Sequence, residues 1–114
     1  MQAVFNLVIK FVDDMDRAVA FYRDTLGLTL KVASPQWSEF DTGAVTLALH
    51  PASAANPAGS SQLSFETSEL EAVYAGREAA GLTFTAPPVA NHGSLLSRVL
   101  DCDRAEIGLT RALP

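Results

Sequence analysis

The stretch Val12-Asp13-Asp14-Met15-Asp16-Arg17-Ala18-Val19-Ala20-Phe21-Tyr22-Arg23-Asp24-Thr25-Leu26-Gly27-Leu28 decides the fold. Asp13 and Asp14 offer an N-cap and negative charge where a helix begins, and both are favourable there. Met15, Ala18, Val19, Tyr22 and Leu26 recur at helical spacing and predict one buried stripe. Gly27 stops the helix as a residue free to take the left-handed conformation. Before the helix, Val4 to Val12 is apolar and β-branched except at Asn6 and Lys10, which predicts a largely buried strand. After it come three short β-like pieces, Leu28 to Ala33, Gln36 to Asp41 and Ala44 to His50, with turns at Ser34-Pro35 and Thr42-Gly43.

The segment Pro51 to Ser61 has small residues, two prolines and no apolar period, so it reads as a linker or surface loop. Beyond it the pattern restarts. Gln62 to Thr67 alternates, with Leu63 and Phe65 on one face. Ser68-Glu69-Leu70-Glu71 has the spacing of a capping box, and the helix it opens buries Leu70, Val73 and Tyr74 and ends at Gly81. Leu82 to Thr85, Ser94 to Leu100 and Glu106 to Arg111 complete a second set of three strands. A shift of 54 positions pairs Ala18 with Ala72, Val19 with Val73, Arg23 with Arg77 and Gly27-Leu28-Thr29 with Gly81-Leu82-Thr83. The chain therefore reads as one domain, residues 1–114, built from two strand-helix-strand-strand-strand modules. Module 1 spans about 1–50, the linker 51–61 and module 2 about 62–114.

Composition narrows the functions open to such a domain. With 114 residues, 48% of them apolar and 18% charged, the chain is large enough to fold around a core. The net charge of −5 leaves no basic face for nucleic acid. No apolar run reaches the roughly 20 residues of a membrane span, and the N-terminus lacks a secretory pattern. The single cysteine, Cys102, fits a reducing compartment, and a cytoplasmic location is expected.

The helix stretch resembles the opening of the vicinal oxygen chelate superfamily, which includes glyoxalases, extradiol dioxygenases and bleomycin-resistance proteins. The shared pattern is Asp-x-x-Arg-Ala-x-x-Phe-Tyr-x-x-x-Leu-Gly, carried here by Asp14 to Gly27. Leu49-His50-Pro51 and Asp101-x-Asp103 are further marks. The resemblance implies an α+β fold in which two βαβββ modules form a curled mixed sheet around a cavity, in a homodimer. It also implies four metal ligands, from the first and last strands of each module. Carried over position by position, these fall on Leu7, Ala48 (or Leu47 if the register slips), Gln62 and Gly108. Only Gln62 has a donor atom, so no metal or other cofactor is expected. In the first strand the register stays open. Either Leu7, Ile9 and Phe11 face inward, or Asn6, Val8 and Lys10 do, and neither choice restores four ligands.

Several residues remain able to bind or react. His50 and His92, the only histidines, are candidate acids or bases, although each also reads as a solvated turn histidine. Trp37, the only tryptophan, is a platform for flat or cationic ligands or else part of the core or dimer interface. Arg98 meets an anionic ligand or a local carboxylate, and Glu106 shares the inward face with Gly108. Cys102 has no flanking base and reads as structural. The expected ligand-binding set is thus Leu7, Trp37, Ala48, His50, Gln62, His92, Arg98, Glu106 and Gly108. The function this favours is metal-independent binding of a small molecule, such as sequestration of an antibiotic or metabolite. The alternative is a lyase, isomerase or dioxygenase that uses a histidine, or a displaced metal site built from His50, Gln62, His92 and Glu106. A third reading is an interaction subunit with a filled core and no ligand.

Overall fold

The computed structural model describes every residue, Met1–Pro114. Strands β1 (Val4–Val12), β2 (Thr29–Val32), β3 (Ser38–Asp41) and β4 (Thr46–Pro51) surround helix α1 (Met15–Ala20) in sequence. Strand β5 (Ser61–Glu66), helices α2 (Leu70–Ala75) and α3 (Arg77–Ala80), and strands β6 (Phe84–Asn91), β7 (Ser94–Leu100) and β8 (Glu106–Ala112) follow. The fold class is α+β, with the βαβββ order occurring twice. Two compact units divide the chain: a first unit of Asn6–Gln62, and a second of Met1–Phe5 with Leu63–Pro114.

In the first unit the strand order is β2-β3-β4-β1. β1 and β4 run parallel, and β3 is antiparallel to both of its neighbours. The core lies on the helix side of this sheet. Val19, Phe40 and Leu49 are buried there, with Val12, Met15, Ala18, Tyr22, Leu28, Leu30 and Leu47 packed around them. Full burial of a side chain such as Leu49 contributes about 1.5–3 kcal/mol. Asp14 caps α1 as expected, its side chain accepting the Arg17 N–H. Leu26 departs from the expected stripe and is 55% exposed. The cause is a five-residue π-helical turn, Phe21–Thr25, closed by Leu26 N–H to Phe21 O. A wider turn delays the helical phase, so Leu26 swings out of line and Leu28 packs in the core instead. The loop after β4 is tied to β1: Phe11 exchanges backbone hydrogen bonds with Gly59 and Ser60, and Lys10 Nζ donates to Gly59 O.

The second unit repeats the plan with order β5-β8-β7-β6, β5 parallel to β8 and the other pairs antiparallel. Its core is Leu70, Val99 and Leu109, with Phe65, Val73, Phe84, Leu95 and Ile107 around them. The expected capping box does not form. Glu71 reaches Arg111 on β8 with two 2.8 Å bonds, and Thr67 Oγ1 accepts the Glu69 N–H instead. Gly76 divides the expected single helix into α2 and α3, as a residue that weakens helix interiors. Gly81 (φ +71°) ends α3 as Gly27 (φ +73°) ends the first unit's helical segment. The strand expected at Leu82 to Thr85 is in fact β6, which runs from Phe84 to Asn91 through Pro87 and Pro88. Prolines are tolerated because β6 is an edge strand, and its register shifts between Phe84 and Val89. No helix is long and apolar enough to cross a membrane.

Candidate functional site

Each unit has a helix-free sheet face, and strand pairing determines which side chains share it. In the first unit Ile9 pairs with Ala48 and Ala48 with Glu39, while Phe11 pairs with His50 and Leu7 with Thr46. Because Leu47, Leu49 and Phe40 are in the helix-side core, these partners occupy the opposite face. The open register question is thereby resolved: Leu7, Ile9 and Phe11 lie on the helix-free face, and Lys10 lies on the other. Leu7 and Ala48 share this face, and neither carries a donor atom.

The helix-free face of the first unit holds a small aromatic and polar cluster. Ser34 fixes its entry, its hydroxyl accepting the Trp37 N–H at 3.0 Å and donating to Trp37 O at 2.7 Å. The half-buried Trp37 indole then donates Nε1–H to Glu39 Oε2 at 2.7 Å. Lys31 Nζ lies 4.0 Å from Glu39 Oε1, and the Glu39 side chain is 29% exposed. The exposed His50 imidazole meets the Trp37 ring at 6.2 Å and the Phe11 ring at 5.6 Å, both edge-to-face. His50 Nδ1 lies 2.8 Å from Pro51 O. A carbonyl only accepts, so Nδ1 carries the proton and neutral His50 presents Nε2 as an acceptor. Glu39 was missed in the sequence. Its signal was the alternation against Phe40, which sends Glu39 to the face opposite the core.

In the second unit Gly108 pairs with Ser64 and with Arg98, and Glu106 pairs with Leu100. Gly108 therefore lies on the helix-free face with Arg98 and Glu106. Gln62 precedes Ser64 by two residues on β5 and alternates in phase with it. Arg98 Nε is 3.7 Å from Glu106 Oε2, which also accepts the Thr85 hydroxyl at 2.6 Å. Arg98 thus meets a local carboxylate. His92 occupies the exposed tip of the β6–β7 hairpin, at φ +46° beside Gly93 at φ +82°. Two positive φ values in a two-residue loop are the geometry of a type I′ turn. His92 lies beyond the Ser94 end of β7 and Glu106 pairs at the Leu100 end, about 20 Å away along the strand at 3.3 Å per residue. A displaced metal site that needs both is therefore not formed.

The donor set does not fit a chelated ion. Leu7, Ala48 and Gly108 offer no ligand atom, Gln62 offers one neutral amide, and no three His, Cys, Asp or Glu side chains come together to hold one. The helix-side grooves differ in character. One of about 440 Å³ runs between α1 and the β2–β3 turn, lined by Met15, Val19, Leu30 and Ser38. Another of about 410 Å³ lies along α2 and α3, lined by Met1, Ala72, Gly76 and Ala80.

Comparison with known proteins agrees with this architecture. The model of the Glyoxalase/Bleomycin resistance protein/Dioxygenase superfamily matches residues 4–107. A superfamily member from Vibrio splendidus 12B01 superposes with a TM-score of 0.71 at 14% identity, over 96% of this chain and 97% of that one. A Streptomyces coelicolor methylmalonyl-CoA epimerase variant, in complex with 2-nitronate-propionyl-CoA, gives 0.73 at 21% identity, over 96% and 94%. A Legionella pneumophila structure described as NAD-dependent benzaldehyde dehydrogenase gives 0.71 at 19% identity, over 94% and 98%. At these identities the likeness carries the fold. No protein of curated function matches the sequence significantly.

Proposed function

Because the chain belongs to the Glyoxalase/Bleomycin resistance protein/Dioxygenase superfamily, we propose that it is a metal-independent small-molecule-binding protein. Its ligand rests on the helix-free face of the Asn6–Gln62 unit. One observation carries this reading: Trp37, Phe11, His50 and Glu39 converge on the face where Leu7 and Ala48 supply no metal donor. Aromatic walls supply contact area at low entropic cost, and a carboxylate and an imidazole fix orientation. Sequestration of an antibiotic or a metabolite would need no more than this. The proposal includes a homodimer and a cytoplasmic location, and it assigns no role to nucleic acid or membrane.

A second reading has one observation in its favour. With Nδ1 tied to Pro51 O, His50 has the tautomer and orientation of a general base, as an isomerase or lyase without metal would require. Calorimetric screening of small aromatic compounds against the wild type and Trp37→Ala tests the binding reading. Saturable binding that Trp37→Ala weakens supports it. Turnover of a bound compound, abolished by His50→Ala, would favour the second. Stoichiometric zinc, iron or manganese in the purified protein would overturn metal independence.

A further inference from the structure

The cluster around His50 has an unequal balance of donors and acceptors. Trp37 Nε1–H is committed to Glu39 Oε2, and the hydroxyl of Ser34 is committed to the Trp37 backbone. What faces a ligand is His50 Nε2, an acceptor, and the second oxygen of Glu39, also an acceptor. Lys31 is the one cation beside them, and at 4.0 Å it screens Glu39 without closing a hydrogen bond. Asp41 pairs with Thr46 in the same strand register, so the face has two carboxylates and one ammonium. His50 and Glu39 stand diagonally on neighbouring strands, since Glu39 pairs with Ala48 and His50 lies two residues beyond it. Diagonal neighbours are about 7–8 Å apart at Cα, within reach of one ring-sized molecule.

Resting on the reading that this face binds the ligand, we propose that it selects flat aromatic cations that donate N–H, of the amidinium or amino-heteroaromatic class. Trp37 would receive the ring, Glu39 would supply the opposing charge, and His50 Nε2 would accept an N–H, with the buried Phe11 backing the His50 ring. The carboxylate and the aromatic faces attract any cation. The imidazole separates cations by whether they carry a hydrogen, because a ring seated against the exposed His50 takes its acceptor out of water and only an N–H donor returns the hydrogen bond.

Three probes that share a phenyl ring test this: benzamidine, phenyltrimethylammonium and benzoate. Trp37 is the only tryptophan, so its fluorescence reports the site directly. Benzamidine is expected to bind about tenfold or more tightly than phenyltrimethylammonium, and benzoate weakest of the three. His50→Phe keeps an aromatic ring at an exposed position and is expected to remove the margin for benzamidine while leaving phenyltrimethylammonium unchanged. Glu39→Gln retains an acceptor for Trp37 Nε1–H and is expected to weaken both cations together. Equal binding of the two cations, a margin that survives His50→Phe, or tighter binding of benzoate would overturn the inference while leaving the face as a ligand site. No response of Trp37 to any of the three would overturn both readings.

Discussion

A Cβ built on Gly108 would stand 2.5 Å from Ser64 Oγ and 3.0 Å from Ser64 Cβ, and Ser64 is itself buried. The glycine therefore exists for close packing between β5 and β8, a reason that a search for ligand positions cannot supply. Gly108→Ala is expected to destabilise the protein by about 1–3 kcal/mol through overpacking, measured by urea denaturation. Adding Ser64→Gly should recover part of that loss, because it removes the atoms in the way. Asp14 acts locally in a different manner. Asp14→Ala removes the acceptor for the Arg17 N–H and should cost about 1 kcal/mol, whereas Asp14→Asn should cost less. The capping aspartate was legible from the sequence because a cap is a contact between near neighbours. Glu39 was not, since its importance comes from Trp37 and His50, the latter on another strand.

Among the elements, α2 and β8 are joined by the bidentate Glu71–Arg111 pair, which took Glu71 away from the helix cap. The Arg111 hydrogen bonds hold the Glu71 carboxyl below the ordinary carboxylate range. A carboxyl depressed in the folded state contributes stability above its unfolded pKa and loses it as pH falls through the folded value. Thermal midpoints recorded from pH 6 down to pH 2 should therefore fall less steeply in Glu71→Gln than in the wild type. Solvent exposure of the pair keeps this effect small and sensitive to salt. Ser68→Ala should be nearly silent, within about 0.5 kcal/mol. Thr67→Ala should cost more, because Thr67 is buried and its hydroxyl accepts the Glu69 N–H. The helix boundaries were readable in outline, but the π-helical turn at Phe21–Thr25 and the break at Gly76 depend on packing that periodicity does not encode.

At the scale of the whole molecule, the repetition of one βαβββ plan gives each unit a helix-covered face and an uncovered one. The helix-covered faces are apolar cores, and the uncovered ones carry every expected site residue that lies within a strand. Binding without a metal predicts that chelator treatment leaves the thermal midpoint unchanged. Added zinc or manganese should leave it unchanged as well, while a saturating ligand raises it in proportion to the logarithm of its concentration. The proposed homodimer predicts twice the chain mass in light scattering. Exposed Val4, Phe5 and Leu63 are apolar surface that such an association would remove from water.

The sequence by itself determined the duplicated module, the cap at Asp14, the stops at Gly27 and Gly81, and the face on which Ala48, Gly108 and their neighbours lie. These follow from periods of 2 and 3.6 residues and from interactions between residues close along the chain. The tertiary structure decided the register of β1, the course of β6 through Pro87 and Pro88, and the separation of His92 from Glu106. It also decided the meeting of Phe11, Trp37 and His50 from three separate segments. Such contacts depend on which strands pair and in what register, and that choice is settled by the packing of a whole face at once.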